Sequence, residues 1–481
     1  MPRFLIQTFG CQMNAHDSAR MAEVLVRSGF SEATDVSDAD LIVFNTCSVR
    51  EHAEQKLRSE AGKLAPEKKR RPDLVVAVAG CVAQQEGEAL LKSIPLVDVV
   101  IGPDNAPELP ELYRQQTLGA PPASHTVFDV DAPRFLAATP SAAPGACTAY
   151  VTTMKGCDER CSFCVVPYTR GPERYRPSES IIQEIDGLVQ AGVKEITLLG
   201  QTVDSFRDET LPAVTGHDPD ESQFPALLRA ICARTPGLAR LRYTSPHPRH
   251  LVPSLIRAHA ELPQLARHVH MPVQSGSDRI LKRMIRRYNR AEYVSRVRAL
   301  VDAVPGLTLS TDVIVGFPGE TEDDFKETLS IVAEVGFTAL FGFKYSPRPH
   351  TPALKLVDDV PEEVKGERLA RLFEQIDSQQ RRHLDSRVGA NARVLVESDS
   401  KSQRQSGGPT VSGRTEHNEI VHIARPHGKR ILGQVVTCKI TAAFKHSLSG
   451  ELDAAETGKL PDGEDVRTAP RKRSLPLSTT P

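Results

Sequence analysis

Gly156-Cys157-Asp158-Glu159-Arg160-Cys161-Ser162-Phe163-Cys164 decides how the rest of the chain is read. Three thiols fall within eight residues, directly after a predicted strand at 149–154. Structural zinc takes four ligands, usually as two separated CxxC pairs, and no second pair matches these three. Three thiolates on a cubic 4Fe-4S cluster instead leave one iron open to a substrate. Working outward, the strand before the cysteines is the first of six, the others being 195–199, 238–244, 268–273, 307–315 and 338–344. Helical patterns lie between them, for instance at 178–191, 278–287 and 321–334, the last with a capping-box-like Thr321 and Asp324 at its start. Six consecutive βα units predict an α/β core, a complete or partial (β/α) barrel with its site at the C-terminal strand ends.

Upstream, apolar runs at 3–7, 41–45, 74–79 and 97–101 alternate with helical patterns such as 17–28 and 51–64. That alternation predicts a doubly wound α/β domain over residues 1–118. The first three strands run into Cys11, Cys47 and Cys81, and ligands of such sheets bind beyond the carboxyl ends of the strands. Three thiols brought to one edge can form a second site. A Pro- and Ala-rich linker is expected at 119–146 and the barrel at 147–384, closed by a long polar helix at 362–387. Short alternating runs at 392–397, 410–414, 419–424 and 434–441 predict a small OB-like β-barrel over 385–449. A polar, Pro-rich tail at 450–481, with its Arg471-Lys472-Arg473 run, is expected to be disordered.

Of 481 residues, 60 are Lys or Arg and 61 Asp or Glu, so the formal charge of -1 excludes a globally basic nucleic-acid coat. Two local concentrations stand out. Residues 387–446 carry ten Lys or Arg against four acids, a surplus suited to a nucleic-acid backbone. Residues 278–290 hold six Lys or Arg against one Asp, with Arg279, Lys282 or Arg283, Arg286 and Arg290 expected along one helical face. Ile280, Leu281, Met284 and Ile285 would form the core-facing side. The nine cysteines are too few and too clustered for a disulfide scaffold. The N-terminus does not read as a signal peptide and no apolar stretch is long enough to span a bilayer, so a cytoplasmic protein with no membrane partner is expected.

Three motifs carry a resemblance to a known family: Thr8-Phe-Gly-Cys-Gln-Met-Asn14, Gly156-Cys-Asp-Glu-Arg-Cys-Ser-Phe-Cys-Val-Val-Pro-Tyr-Thr-Arg-Gly171 and Phe343-Lys-Tyr-Ser-Pro-Arg-Pro-His-Thr-Pro352. The chain resembles the radical S-adenosylmethionine (SAM) methylthiotransferases up to about residue 446. Thr202, Asp204 and His350 depart from the pattern, standing where asparagine, asparagine and glycine are usual. The resemblance implies that Cys157, Cys161 and Cys164 hold a radical SAM 4Fe-4S cluster, while Cys11, Cys47 and Cys81 hold an auxiliary one. It further implies SAM as both methyl donor and radical source, sulfur drawn from the auxiliary cluster, and an outside electron donor and sulfur or cluster-assembly source. The form around Cys11 points to N(6)-dimethylallyladenosine beside the anticodon of tRNA as substrate. The alternatives are threonylcarbamoyladenosine in tRNA, a ribosomal-protein aspartate, or a non-catalytic, metal-stabilised RNA-binding protein. Glycine-permissive turns after the barrel strands make Gly200, Gln201, Ser245, Gln274, Ser275 and Gly276, with Phe163 beside the last cysteine, the candidate SAM contacts. Gly413-Arg-Thr-Glu-His-Asn418 resembles the core of the TRAM RNA-binding domain. Cys147, Cys232 and Cys438 match no ligand motif, Cys147 lying nearest one in sequence, and a monomer is expected.

Overall fold

The computed structural model describes residues 1–48, 51–131, 133–136, 145–214, 219–400 and 409–465. Strands β1 (Arg3–Phe9), β2 (Ser31–Glu32), β3 (Leu41–Thr46), β4 (Val75–Gly80), β5 (Val99–Ile101) and β6 (Ala123–His125) form one parallel sheet in the order β2-β1-β3-β4-β5-β6. β3 and β4 are buried along their whole length because helices cover both faces. Ile42, Phe44, Val76 and Val78 pack on Leu57 and Ala61 of helix Glu51–Lys63. Their neighbours Leu41, Val43, Val75 and Ala77 pack on Met21 and Leu25 of helix Gln12–Arg27. The period of two along each strand thus splits the apolar residues into two cores. β6 lies inside the stretch expected to be linker. Its Ala-Ser-His has no apolar signal, and the open edge of β5 selects it, Ala123 pairing with Val99.

The second unit begins with β7 (Thr148–Thr152), followed by the paired β8 (Met154–Lys155) and β9 (Arg174–Tyr175). Then come β10 (Glu195–Leu199), β11 (Arg240–Tyr243), β12 (His268–His270), β13 (Thr308–Val315) and β14 (Ala339–Lys344). The parallel sheets β11-β10-β7 and β12-β13-β14 meet where Leu241 bridges Leu265, giving a six-stranded partial barrel in sequence order. Thr321 caps helix Glu322–Val335 in a reciprocal box with Asp324, as the sequence suggested.

The expected basic helical face does not form. Helix Asp278–Arg283 stops early, Ile285 takes φ +56°, and a new helix starts at Arg290. Arg279 pairs with Asp324, Arg283 donates to the Pro318 carbonyl, and Arg290 pairs with Glu334. These charges are engaged by neighbouring elements, although Arg279 stays exposed, and Ile285, expected in the core, is 42% exposed.

After helix Glu362–Ser386, strands β15 (Asn391–Asp399), β16 (Thr410–Thr415), β17 (Ile420–Ala424), β18 (Val435–Ala443) and β19 (Leu448–Glu451) close a barrel in the order β15-β16-β17-β19-β18, the OB arrangement. β19 runs past the boundary set for the tail, and helix Ala454–Lys459 follows it. Asp465 pairs with Arg425 and accepts from the Ile431 and Leu432 amides, so the chain is tied down to that point. The remainder of the expected tail, with Arg471-Lys472-Arg473, lies outside the described residues. Arg387, Arg414, Arg425, Lys429 and Lys445 pair with Glu419, Glu397, Asp399, Asp462 and Asp377 respectively. Asp377, Asp462 and Asp465, all from outside residues 387–446, make the basic surplus of this barrel smaller in space than in sequence. No helix among the described residues is long and apolar enough to cross a membrane.

The partial barrel buries several imidazoles. His259, bonded to the Tyr243 hydroxyl at 2.8 Å, is brought down by burial to about 4; His247, His250 and His268 are also lowered. A depressed histidine contributes stability above its unfolded value, near 6.5, and loses it as pH falls through the folded one. His259 alone is expected to cost about 2–3 kcal/mol between neutral pH and about pH 4.5. Urea unfolding at the two pH values should show a shallower loss for His259→Gln; equal losses would contradict the assignment.

Candidate active site

Cys11 caps the helix Gln12–Arg27, Cys47 directly follows β3, and Cys81 opens the helix Cys81–Glu86 straight after β4. All three therefore stand at the carboxyl edge of one parallel sheet. Two buried amides hold that edge. Asn14 accepts from the Cys11 amide and thiol at 3.3 Å, and its Nδ2 donates to Asn45 Oδ1 at 3.1 Å and the Thr46 carbonyl at 3.3 Å. Asn45 returns a bond to the Asn14 carbonyl at 2.8 Å. Cys47 is hydrogen-bonded to the Cys11 thiol, which helps bring Cys11 down to about 6 although its partial burial acts the other way. The nearby Arg170 guanidinium acts in the same direction and donates to Cys81 Sγ at 3.4 Å.

Cys157, Cys161 and Cys164 lie on the loop after β8, at the carboxyl end of the partial barrel. The loop is pinned from three sides. Gly156 N donates to Gln201 Oε1 at 2.6 Å, Ser162 N to the Met284 carbonyl at 2.9 Å, and Ala353 N to the Ser162 carbonyl at 2.8 Å. Thr202 Oγ1 stands 2.9 Å from Cys157 Sγ, and Arg286 Nη1 donates to Cys161 Sγ at 3.1 Å. Burial raises Cys157 well above the ordinary thiol and pushes Cys164 up to about 12. Metal coordination would favour the ionised form of such thiols. Among the described residues no three His, Cys, Asp or Glu side chains gather as a single-ion site. Both trios offer sulfur alone, the donor set of iron–sulfur clusters.

Three of the six cysteines follow a glycine with positive φ, namely Gly10, Gly80 and Gly156. A Cβ on Gly80 would meet Asn45 Oδ1 at 2.3 Å, and one on Gly156 would meet the Pro172 carbonyl at 1.9 Å. The Gly-Cys pair is thus a readable signal of close backbone approach beside Cys81 and Cys157.

The two edges face each other. Arg170, from the helix Val166–Arg170 just after Cys164, pairs with Asp17 at 2.6 Å while touching Cys81. Arg174 pairs with Asp104 at 2.6 Å, Lys155 with Asp104 at 2.8 Å, and the Thr152 hydroxyl lies 3.2 Å from the His16 ring.

Residues 3–102 match the model of the Uncharacterized protein family UPF0004, and residues 151–332 that of the Radical SAM superfamily. The tRNA-2-methylthio-N(6)-dimethylallyladenosine synthase of Sorangium cellulosum (strain So ce56) is 62% identical, over 99% of this chain and 99% of its own. That of Methylibium petroleiphilum is 45% identical, over 95% and 98%. The chain belongs to the tRNA-2-methylthio-N(6)-dimethylallyladenosine synthase family. Its fold is shared with the radical S-adenosylmethionine methyltransferase TsrM of Kitasatospora setae, at a TM-score of 0.51, 16% identity, and 73% and 74% of the two chains covered.

The candidate SAM contacts of this family member all reach the rim of carboxyl strand ends, with unequal freedom. Gln201 is engaged by Gly156, and Gly276 backs against helix Glu322–Val335, where a Cβ would meet the Glu327 carbonyl at 2.4 Å. Ser275 is buried beside Thr328, and Phe163 packs with Ile280, Met284 and Phe317. A Cβ on Gly200 would meet Met154 Cγ at 2.7 Å. Ser245 (φ +59°) and Gln274 (φ +68°) hold left-handed backbone at the ends of β11 and β12, a strain that recurs at ligand sites. His350 also sits at φ +66°, which explains why glycine is usual there.

Cys147 stands at the opposite end of the partial barrel, its thiol 3.7 Å from the Val396 carbonyl, away from either trio. Cys232 and Cys438 are core residues, both raised to about 11 by burial. Gly156→Ala combines a backbone clash with a left-handed φ. It is expected to lower stability by on the order of 3 kcal/mol, read by urea unfolding. A wild-type midpoint would contradict the tight loop.

Proposed function

We propose that this chain converts N(6)-dimethylallyladenosine beside the anticodon of tRNA to its 2-methylthio derivative. The observation that carries this reading is the meeting of two sulfur-only trios, each at the carboxyl edge of its own parallel sheet, across the Arg170–Asp17 contact. Cys157, Cys161 and Cys164 would hold the radical SAM cluster, and Cys11, Cys47 and Cys81 the auxiliary cluster. When bound, the clusters and SAM supply hydrogen-atom abstraction and sulfur and methyl transfer, chemistry beyond a side-chain base because the hydrogen on carbon 2 of adenine is not acidic enough. The chain's own residues position and enclose. Asn14 and Asn45 fix the N-terminal edge, Gln201 and Thr202 fix the loop at Cys157, and Ser245 and Gln274 shape the rim where SAM would lie. The interdomain ion pairs keep the two edges together and water out.

The C-terminal barrel would grip the tRNA backbone, since phosphate contacts position a nucleic acid without reading it. An apolar pocket for the five-carbon prenyl group would contribute about 2–4 kcal/mol to choosing prenylated tRNA. The protein would work as a single chain in the cytoplasm, drawing electrons and sulfur from other proteins.

Reconstituted protein with reductant and SAM is expected to methylthiolate prenylated tRNA and to leave unprenylated tRNA and ribosomal protein unmodified, as read by mass spectrometry. Replacing Cys157, Cys161 and Cys164 with Ala should abolish SAM cleavage. The same change at Cys11, Cys47 and Cys81 should spare cleavage yet eliminate methylthio product. Product from the latter variant without added sulfide would overturn the auxiliary role.

A further inference from the structure

Each cysteine trio carries one arginine on one of its thiols, Arg170 buried and Arg286 half-buried. Arg170 is 6% exposed and donates through Nε to Cys81 Sγ at 3.4 Å, while its Nη2 is fixed by Asp17 at 2.6 Å. Arg286 donates through Nη1 to Cys161 Sγ at 3.1 Å, while its Nε donates to the Tyr288 hydroxyl at 3.0 Å and the guanidinium lies 5.0 Å from the Tyr288 ring centroid. Tyr288 is anchored in turn, donating to the Val273 carbonyl at 2.9 Å. The two arginines come from unrelated places, one just after the radical SAM loop and one in the turn between helices Asp278–Arg283 and Arg290–Ala303. Arg170 also reaches across domains, serving the trio on the sheet it does not belong to.

We propose that Arg170 and Arg286 are positioning residues that hold one thiolate of each cluster and set its reduction potential. This rests on the cluster assignment above. A thiolate-bound cluster gains one negative charge on reduction, and its potential follows net charge and hydrogen bonds to sulfur. A guanidinium held at a ligand sulfur in a low-dielectric interior stabilises the more negative, reduced form and makes the potential less negative. The two sites differ in what neutralises the cation. Arg170 shares its charge with the Asp17 carboxylate, whereas Arg286 is backed by a phenol and a ring face, so Arg286 exerts the larger pull on its own cluster.

The test is an EPR-monitored redox titration of anaerobically reconstituted full-length protein, with the signal perturbed by added SAM assigned to the Cys157 trio. Arg286→Gln is expected to move that signal to more negative potential and leave the other in place. Arg170→Gln should move only the other, by less, and Arg170→Lys and Arg286→Lys should lie near wild type. Full iron loading with unmoved potentials in both Gln variants would overturn the proposal. So would loss of iron, at unchanged helical content, in Gln and Lys variants alike, since shape rather than charge would then matter. Wild-type protein that takes up no iron would instead overturn the cluster assignment itself.

Discussion

Everything at the site depends on a guanidinium that is almost entirely buried. Arg170, from the second domain, sits between Asp17 and Cys81 of the first. A buried cation must find its partners or destabilise the state that buries it, and breaking such a pair costs far more than forming it contributes. The interaction therefore acts less as glue than as a selector of one relative placement of the two domains. Arg174 with Asp104 and Asp129, and Lys155 with Asp104, repeat the constraint a few residues away. Together they set the carboxyl edge of a six-stranded sheet against the carboxyl end of a partial barrel.

That placement gives the molecule two ends with different tasks. Beyond the carboxyl ends lie the cysteines, the left-handed turns and the pinned loop. At the amino ends, Arg240 Nη1 donates to the Arg414 carbonyl at 3.2 Å, Arg242 Nη2 to the Thr415 carbonyl at 2.7 Å, and the Thr308 hydroxyl to the His417 carbonyl at 3.3 Å. The turn of the C-terminal barrel that resembles a TRAM core is therefore used to dock that barrel onto the rest of the chain. Glu419, with His383 and Arg387 on it, ties the same turn to the long helix. On the same barrel Arg430 and Lys439 are exposed, while Arg393 lies at the seam with the partial barrel.

Local charge counts misled for one physical reason. A run of arginines in sequence says nothing about which acids the fold brings to it. Asp324 and Glu334 reach the 278–290 stretch from a helix beginning 32 residues further on, and Asp465 reaches Arg425 from beyond the expected end of the domain. Residues 123–125 and 450–465 are ordered for a related reason. A strand of three or four residues with little apolar content is chosen by the edge it completes, β5 for β6 and β17 with β18 for β19.

The sequence by itself indicated the main elements and the candidate ligands. Periodicity of two and of three to four marked the long strands of each domain and several of the helices, and the spacing of Cys157, Cys161 and Cys164 pointed to the chemistry, because local order follows from neighbours along the chain. It also placed Cys11, Cys47 and Cys81 at one edge, since parallel strands end on the same side. Only the tertiary structure decided which side chains stand behind those ligands. Asn14, Asn45, Arg170 and Arg286 act through contacts spanning 31 to 125 residues, and Gln201 accepts from the Gly156 amide across 45. Hydrogen bonds and buried charges of that kind are settled by which surfaces meet, and a linear pattern carries no record of the meeting.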